Sequence, residues 1–393
     1  MTSIFISHPT LQHSHQLALA LHERGLLQAF WSGVPVISDG EKLPFWLPRS
    51  YASKVKTVAI PPDLRRHPMF FQTLLRAGRG VPKRFSRDDF AHRNFHFYDW
   101  WVAQHIEKLK PKVVVAYENS AYHSFRAAKA IGARCILDAP SLHHMTAEKL
   151  MEFKQTPYLP EINRRKDEEV AMADLILTCS PFAAKSYVEN GVLGCKVQPM
   201  LLGAALPDGI ISWRDNNEPL HFMFAGALSY RKAIDVILQV FAKLNIEGLE
   251  YRLSFIGGEG EAGWVEAISK TPNALYLGGM SQKALYQQLP RADCLLLPSR
   301  YDSFGMVVAE AMACGTPAIV STQTGAKAII EQFPDAGWVV ECNADSLYHC
   351  VKARIQHREE LFVARDAALT AAKHFTWQAY RTRVGQFIEE WIK

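Results

Sequence analysis

The sequence lacks the features that mark several classes of protein. It contains no uninterrupted apolar stretch of about 18 residues, which is the length that a membrane-spanning helix needs. Its first residues, MTSIFISHPTLQHSHQ, show no basic segment followed by a long apolar run, so they do not resemble a secretory signal. Low-complexity tracts are also missing, which argues against long disordered regions. These absences predict a cytoplasmic globular protein without a membrane span.

Disulfide and metal-ligand patterns are equally scarce. The seven cysteines are odd in number, never form a C-x-x-C pattern and lie mostly in apolar stretches. This usage favours reduced thiols in the core over a disulfide framework or a zinc site. No other group of residues has the spacing of metal ligands, so we expect neither a metal nor another cofactor.

One segment has a strong excess of positive charge. Residues 49–87 carry ten Lys or Arg against one acid, Asp63, which gives a formal charge of +9 and leaves the remainder of the chain at −4. Aromatic and apolar residues are interleaved with these charges, and that mixture favours contact with an anionic membrane surface. An anionic soluble acceptor and a solvated face are the alternatives. No nucleic-acid-binding motif accompanies the segment, so nucleic acid is not an expected partner.

Short apolar runs alternate with helical patterns along the whole sequence. Runs such as SIFIS, VKTVAI, VVVAYE, HFMFAG and CLLLP predict strands. Segments such as HQLALALHERG, AIDVILQVFAKL and SLYHCVKARIQHREELF predict the helices between them. This alternation is typical of parallel sheets covered on both faces. We therefore expect an α/β protein with two doubly wound, Rossmann-like domains that face each other across a cleft.

A polar segment rich in Gly, Pro, Asn and Asp, GAALPDGIISWRDNNEP, separates the two sets of strands. We place the first domain at residues 1–205, the linker at 206–218 and the second domain at 219–374. A last helix, TWQAYRTRVGQFIEEWIK within residues 375–393, has aromatic and apolar residues at helical spacing. This helix therefore needs a surface against which to bury them.

A glycine motif follows the predicted strand RLSFI. Gly258, Gly260 and Gly263 satisfy the G-x-G-x-x-G pattern of dinucleotide binding. The motif does not open a domain, Glu259 and Glu261 would oppose a pyrophosphate, and the next strand ends without an acid for a ribose. These features favour a tight turn that lets the chain approach a ligand closely.

The stretch LLLPSRYDSFGMVVAEAMACGTPAIV, residues 295–320, contains an acid in a buried helix. The pattern predicts a helix over about 304–314 that is apolar nearly all the way round, yet it carries Glu310. No Lys or Arg lies between Tyr301 and Lys327 to pair with it. Because an unpaired buried carboxylate is costly, its partner is either a distant basic residue or a ligand.

The start of this helix offers a site for an anion. The backbone N–H groups of residues 303–305 and the positive end of the helix dipole suit a diphosphate. Asp302 is either the N-cap residue or, with Glu310, one of two carboxylates that accept hydrogen bonds from hydroxyls at the two ends of a nucleotide sugar. Arg231 and Lys232 are either a solvated helix start or the positive groups that neutralise the diphosphate.

Four segments of the second half occur in a recognisable order: GALSYRKAIDVIL, LSFIGGEGEAGWVEAI, NALYLGGMSQKALYQQLPRADCLLLPSRYDSFGMVVAEAMACGTPAIVS and GAKAIIE. In order and spacing they resemble the C-terminal half of the retaining family 4 glycosyltransferases, which have the GT-B fold. The resemblance implies that Glu310 holds the ribose hydroxyls, Asp302 the donor sugar and Lys232 the phosphates. The donor-binding set that it implies is Gly226, Arg231, Lys232, Gly278, Ser303, Phe304, Gly305, Met306, Val307 and Glu310.

The sequence departs from the family pattern at three positions. The first acid of the pair is Asp302, where the family more often has Glu, so its reach to the sugar is shorter. The family's phosphate-binding basic pair falls on Ala227 and Lys232, and Arg231 is our candidate to replace the missing charge. Ala233 stands where the family usually has Gly.

The first half matches the family more loosely. The segment CILDAPSLHHMTAEKL resembles the one that carries an active-site His, which implies that His143 or, by slight preference, His144 faces the donor sugar. His8 and His15 are further candidates for the cleft wall, because they lie near the end of the first strand. The resemblance also implies that the C-terminal helix crosses back onto the first domain.

The resemblance implies a retaining glycosyltransferase that moves a sugar from a UDP- or GDP-sugar to the hydroxyl of a lipid-linked or cell-surface glycan. No metal is expected, and His144, His143, Asp302 and Lys232 are the candidate catalytic residues. We expect the protein in the cytoplasm, attached peripherally to the inner face of the membrane through residues 49–87. Alternatives are a GT-B sugar-nucleotide epimerase or phosphorylase, and a catalytically silent module that binds a membrane or partner.

Overall fold

The structure is a computed structural model. It describes residues 3–38, 41, 55–68, 71, 87–151, 156–207 and 218–393.

The first unit is built on a parallel sheet. Its strands are β1 (Ile4–His8), β2 (Leu27–Ser32), β3 (Val36–Ile37), β4 (Lys56–Thr57), β5 (Arg65–Arg66), β6 (Val113–Tyr117), β7 (Arg134–Ala139), β8 (Leu175–Thr178) and β9 (Val197–Pro199). Seven of them pair in the order β5-β2-β1-β6-β7-β8-β9, and β3 pairs with β4 alone. The central strands β1 and β6 are buried along nearly their whole length because helices cover both faces of the sheet, which explains their continuous apolar sequences. The helices are α1 (Ser14–His22), α2 (Arg87–Leu109), α3 (Tyr122–Ala130), α4 (His144–Leu150), α5 (Leu159–Met172) and α6 (Pro181–Glu189).

The second unit repeats this architecture. Its strands are β10 (Leu220–Ala225), β11 (Tyr251–Ile256), β12 (Ala274–Tyr276), β13 (Cys294–Leu297), β14 (Ala318–Ser321) and β15 (Gly337–Val340), in the order β12-β11-β10-β13-β14-β15. Its helices are α7 (Ile234–Ile246), α8 (Trp264–Ser269), α9 (Gln282–Gln288), α10 (Met306–Ala313), α11 (Lys327–Gln332), α12 (Ala344–Gln356) and α13 (Glu359–His374). The chain order reverses between the neighbours β10 and β13, and the loops that follow such strands diverge to leave a crevice for ligands.

The last helix, α14 (Trp377–Trp391), belongs to the first unit in space. It packs on α1, and Tyr380, Val384 and Ile388 are buried there. Arg381 Nε lies 3.0 Å from Glu23 Oε1, and the Arg134 guanidinium lies 3.3 Å from the centroid of the Trp391 ring. The predicted fold, including the helix that crosses back, is therefore confirmed.

Direct hydrogen bonds join the two units beside the cleft. Ser180 Oγ, at the start of α6, donates to the carbonyl oxygen of Ser303 at 2.5 Å. Tyr286 Oη in α9 donates to the carbonyl oxygen of Ala205 at 2.9 Å. A Cβ on Gly325 would lie 2.0 Å from the carbonyl oxygen of Ser303, so only glycine permits this close approach.

Three predicted elements differ from the structure. The helix expected over about 304–314 begins at Met306, because the preceding Gly305 has a left-handed backbone. The single helix predicted from SLYHCVKARIQHREELF is wrong: α12 ends at Gln356 and α13 begins at Glu359, since α12 packs on α7 and α13 on α10. The strand VKTVAI is reduced to Lys56–Thr57.

Residues 208–217 of the predicted linker 206–218 and most of the basic segment 49–87 lie outside the described residues, so both the linker and the membrane contact through the basic segment stay predictions. Within the described part, the Arg65 side chain is only 3% exposed and pairs with Glu41, so its role is structural. None of the helices in the described ranges combines the length and apolar character that crossing a bilayer requires. All seven cysteines are free; four of them are buried, whereas Cys195 is exposed and so is not a core thiol.

Candidate functional site

A cleft of about 1120 Å³ lies between the two units. One wall consists of the turns that follow β10, β11 and β13 and of the first turn of α10. The other wall comes from the loops after β1, β7 and β8, from Tyr117 at the end of β6, and from α4 and α5. Of the candidate catalytic and donor-binding residues, Gly278 and His143 are not part of the lining, and all the others are.

The start of α10 has the geometry of an anion site. Gly305 has φ 88°, and a Cβ there would lie 2.9 Å from Leu297 Cδ2, so a side chain is excluded on both counts. The first N–H groups of the helix have no intrahelical partners and lie at the positive end of the dipole. At the start of α7, Ala233 has φ 57°, a conformation that explains why glycine is usual at this position in the family.

Glu310 is buried in the middle of α10. The residue is 8% exposed, and burial raises the pKa of its carboxyl group. Gln282, in the first turn of α9, donates a hydrogen bond from Nε2 to Glu310 Oε1 at 2.7 Å and opposes that rise. Within the described ranges no Lys or Arg pairs with Glu310, and its Oε2 atom has no hydrogen-bond donor. The protein partner of this acid is therefore a neutral amide rather than a distant base.

Asp302 is paired with a base from the turn that follows β10. Lys232 Nζ forms an ion pair with Asp302 Oδ2, and the two side chains are only 11% and 14% exposed. Asp302 Oδ1 also accepts a hydrogen bond from the backbone N–H of Phe304 at 3.3 Å, so it shapes the turn before α10 as well. Arg231 Nη1 donates to the carbonyl oxygen of Tyr301 at 3.2 Å, which holds its guanidinium at the cleft.

The two adjacent histidines lie in different environments. His144 lines the cleft, and its Nε2 lies 2.7 Å from Asp167 Oδ1 in α5. His143 lies behind it, next to a separate cavity of about 10 Å³ that Glu118 and Tyr187 also line. Burial, together with the neighbouring His144, lowers the pKa of His143 to about 4. Of the two candidates, His144 is therefore the one that a ligand in the cleft can reach.

His143, His144 and Asp167 also form a group whose ligand atoms lie within 4.8 Å of one another, as metal ligands do. His143 Nδ1 accepts a hydrogen bond from the Met145 N–H at 3.4 Å, so this nitrogen already has a partner and the neutral ring carries its proton on Nε2. His144 Nε2 is engaged by Asp167. The arrangement favours hydrogen bonding over metal ligation, and metal independence stays a prediction.

The acids of the glycine motif support the local backbone. Glu259 Oε1 accepts hydrogen bonds from the N–H groups of Gly263 and Val265 at 2.9 and 3.2 Å, at the start of α8. Glu261 Oε2 accepts from the N–H of Tyr230 at 2.9 Å, beside Arg231. Because both carboxylates accept backbone hydrogen bonds, the glycine turn stabilises the cleft wall rather than binding a pyrophosphate.

The wall from the first unit contains residues that the sequence analysis missed. His13 lines the cleft, and although burial opposes a charged ring, Asp138 at 3.0 Å raises the pKa of His13. His8 and His15 are not part of the lining: His8 packs on Tyr117, and burial lowers its pKa to about 3. The rule that ligands bind beyond the carboxyl ends of parallel strands pointed to this loop but not to the correct histidine.

Comparison with known sequences finds a family match within part of the chain. The model of the family described as Glycosyl transferases group 1 matches residues 211–361 of this chain. The O-antigen chain mannosyltransferase B of Escherichia coli is 28% identical over 218 residues, which cover 54% of this chain and 53% of the relative. A GDP-mannose-dependent alpha-(1-6)-phosphatidylinositol dimannoside mannosyltransferase of Mycobacterium tuberculosis is 31% identical over 157 residues, 39% of each chain. The chain thus spans only about half, or less, of the length of these relatives.

Comparison with solved structures extends the likeness to the whole chain. The lipopolysaccharide outer core galactosyltransferase WaaB has a TM-score of 0.63 at 14% identity, covering 99% of this chain and 100% of that one. HepE of Anabaena, in complex with UDP-glucose, has a TM-score of 0.65 at 12% identity, again covering 99% and 100%. At such identities the likeness shows the fold. The protein therefore has the GT-B fold, and its residues 211–361 are a domain of the group 1 glycosyl transferases.

Proposed function

We propose that the protein is a retaining glycosyltransferase that transfers a sugar from a UDP- or GDP-sugar to a hydroxyl group of a glycan or glycolipid acceptor. The observation that carries the proposal is the pair of carboxylates, Asp302 and Glu310, on either side of the start of α10, which lines a cleft between two Rossmann-like units. A relative that is named as GDP-mannose-dependent and a structural neighbour solved in complex with UDP-glucose support these two donor classes.

The donor fits the wall formed by the second unit. Its ribose hydroxyls would donate to Glu310, and its diphosphate would lie at the N–H groups of Met306 and Val307 near Arg231. The diphosphate competes with Asp302 for Lys232, so donor binding would exchange one anionic partner of the lysine for another. Asp302 would then be free to accept a hydrogen bond from a hydroxyl of the donor sugar.

In the reaction, the bond between the sugar C1 and the diphosphate oxygen breaks, and a bond from the acceptor oxygen to C1 forms on the same face. The acceptor proton passes to an oxygen of the departing diphosphate. Lys232, Arg231 and the start of α10 stabilise the negative charge that develops on this leaving group. These groups hold the charge without a metal ion, so we propose that the enzyme is metal-independent.

The wall formed by the first unit would receive the acceptor. His144 lies across the cleft from α10, and Asp167 orients its ring. Lys166 and Asn163, from α5, line the same wall. We propose that His144, rather than His143, contacts the sugar during transfer. Peripheral attachment to the inner face of the cell membrane is part of this proposal, and it rests on the charge of residues 49–87 in the sequence.

A thermal-unfolding assay with UDP, GDP, ADP and NAD tests the donor site. A ligand at about 100 times its dissociation constant stabilises the folded state by roughly 2.7 kcal/mol, which raises the midpoint by a few degrees. We expect one of UDP and GDP to do so, and we expect the shift to vanish in Glu310→Ala. No shift with any nucleoside diphosphate would contradict the proposal and favour a silent membrane- or partner-binding module.

The stereochemistry requires a separate measurement. Incubation with the donor that binds, followed by NMR of the anomeric proton in the product, would show the same configuration in donor and product. An altered donor sugar in the absence of any acceptor would instead indicate an epimerase. Release of a sugar 1-phosphate when glycan and inorganic phosphate are supplied would indicate a phosphorylase.

A further inference from the structure

The two carboxylates on the wall formed by the second unit, Asp302 and Glu310, each have a protein partner, but the two partners differ in kind. Asp302 is paired with a cation, Lys232, for which the donor diphosphate would compete. Glu310 is hydrogen-bonded to the neutral amide of Gln282, which has no attraction for a phosphate. The contact between Asp302 and Lys232 is therefore expected to break when the donor binds, whereas the contact between Glu310 and Gln282 is expected to persist.

The contact between Gln282 and Glu310 leaves one side of the carboxylate open. Gln282 Nε2 engages Oε1 at 2.7 Å, and within the described residues Oε2 has no donor. An ionised carboxylate has about four lone-pair positions, so one amide N–H leaves ample capacity for two hydroxyl groups. An amide also fixes the orientation of the carboxylate without neutralising its charge, which a Lys or Arg would do.

The location of Gln282 supports a role in ligand binding. It stands in the first turn of α9, whose N-cap is Ser281, and it closely follows Gly279 and Met280, which line the cleft. The residue as a whole is exposed, yet its amide reaches back to a carboxylate that is 8% exposed. A free surface glutamine gains little from such a fixed position, because ordering a long side chain costs conformational entropy.

We propose that Gln282 is a positioning residue for the donor nucleoside: its amide holds Oε1 of Glu310 so that Oε2 is presented to the ribose hydroxyls. This inference rests on the proposed function, since it takes Glu310 as the ribose-binding residue. Gln282 itself does not touch the ribose. Its removal leaves Glu310 free to rotate and costs affinity for nucleosides that carry the hydroxyls.

The test measures the dissociation constants of UDP, GDP and ADP, and of their 2′-deoxy counterparts, by calorimetry. For the ribonucleotide that binds, we expect Gln282→Ala to raise the dissociation constant about tenfold, the order of magnitude of one hydrogen bond to a charged group. The corresponding deoxynucleotide, which lacks one of the two hydroxyls, should lose less. Gln287→Ala is the matched control, because Gln287 is exposed on the same helix and its side chain makes no hydrogen bond within the described residues.

A double-mutant cycle separates positioning from direct contact. If Gln282 acts through Glu310, Gln282→Ala should have no further effect in a Glu310→Ala background. Additive effects would show that Gln282 contacts the nucleotide itself and would overturn the proposal. Gln282→Glu should weaken binding more than Gln282→Ala, because it replaces the donor with a second carboxylate at hydrogen-bond distance.

The remaining outcomes distinguish failure of this inference from failure of the proposed function. If Glu310→Ala leaves binding unchanged, or if none of the nucleoside diphosphates binds the wild-type protein, the donor site itself is wrongly assigned and both proposals fail. If Glu310→Ala weakens binding but Gln282→Ala does not, only the positioning role is wrong. In the transfer reaction, Gln282→Ala should raise KM for the donor and leave kcat nearly unchanged, a split that a general loss of folding would not produce.

Discussion

Replacing Asp302 by asparagine should have opposite effects on nucleotide binding and on transfer. In the unliganded protein Lys232 is held by Asp302, so a diphosphate must displace the carboxylate before it can use the lysine. An asparagine side chain keeps the size and a neutral acceptor, but it loses the charge that competes with the phosphates. We therefore expect Asp302→Asn to bind UDP or GDP more tightly and to transfer the sugar more slowly.

The magnitude follows from the burial of the pair. With side chains 11% and 14% exposed, this is not a solvated surface ion pair, whose contribution would be close to zero. A hydrogen bond to a charged group contributes about 1.5–3 kcal/mol, and the neutral acceptor retains part of that, so we take about 1–2 kcal/mol as the change. Affinity for the nucleoside diphosphate should then rise about five- to thirty-fold. The same change should lower the melting temperature of the free protein by about 2–8 °C.

Titration calorimetry with UDP and GDP measures the affinity, and differential scanning calorimetry measures the stability. Asp293→Asn is the matched control, since Asp293 forms a buried ion pair with Arg365 in the same unit but does not line the cleft. This control should lose stability and leave nucleotide affinity unchanged. Equal or weaker nucleotide binding by Asp302→Asn would refute the reasoning, because it would mean that the Asp302 carboxylate and the phosphates do not compete for Lys232.

Three further predictions concern the helix end, the buried acid and the basic segment. Gly305→Ala should lower the free energy of unfolding by about 1–3 kcal/mol and weaken nucleotide binding, because the new Cβ would lie 2.9 Å from a side-chain carbon on a backbone with φ 88°. Gly248→Ala is the control in urea denaturation: residue 248 has φ 74° and no atom within 4 Å of a Cβ, so this variant reports backbone strain alone. Burial raises the pKa of Glu310, and binding needs its ionised form, so nucleotide affinity should fall with decreasing pH already above the ordinary value of 4.5. Because of the same shift, Glu310 binds a proton more tightly in the folded state than in the unfolded state. Its contribution to stability should therefore decrease as pH rises through the window above 4.5. Glu310→Gln should lose both pH dependences, that of affinity and that of stability. Reversing the charges of Arg76 and Arg79 should reduce co-sedimentation with anionic liposomes, and unchanged co-sedimentation would remove the membrane interpretation.

Local sequence patterns predicted most of the fold. Continuous apolar runs separated by amphipathic segments specify buried parallel strands and covering helices, since each pattern reflects the surroundings of its own element. The aromatic and apolar spacing of the last helix likewise indicated a buried face, which α14 places on α1. The break between α12 and α13 was missed because no Gly or Pro marks it. It is decided by two different packing partners, α7 and α10.

The candidate site was predictable to the extent that its residues share one stretch of chain. The sequence alone determined that Asp302 and Glu310 flank a helix start with glycine at position 305, because backbone conformation and helix spacing are local properties. Tertiary structure decided the partners of both acids, Lys232 at a separation of 70 residues and Gln282 at 28. It also decided that His144 rather than its neighbour His143 reaches the cleft. Such contacts depend on strand order and on how two units meet, and no local pattern of residues encodes either one.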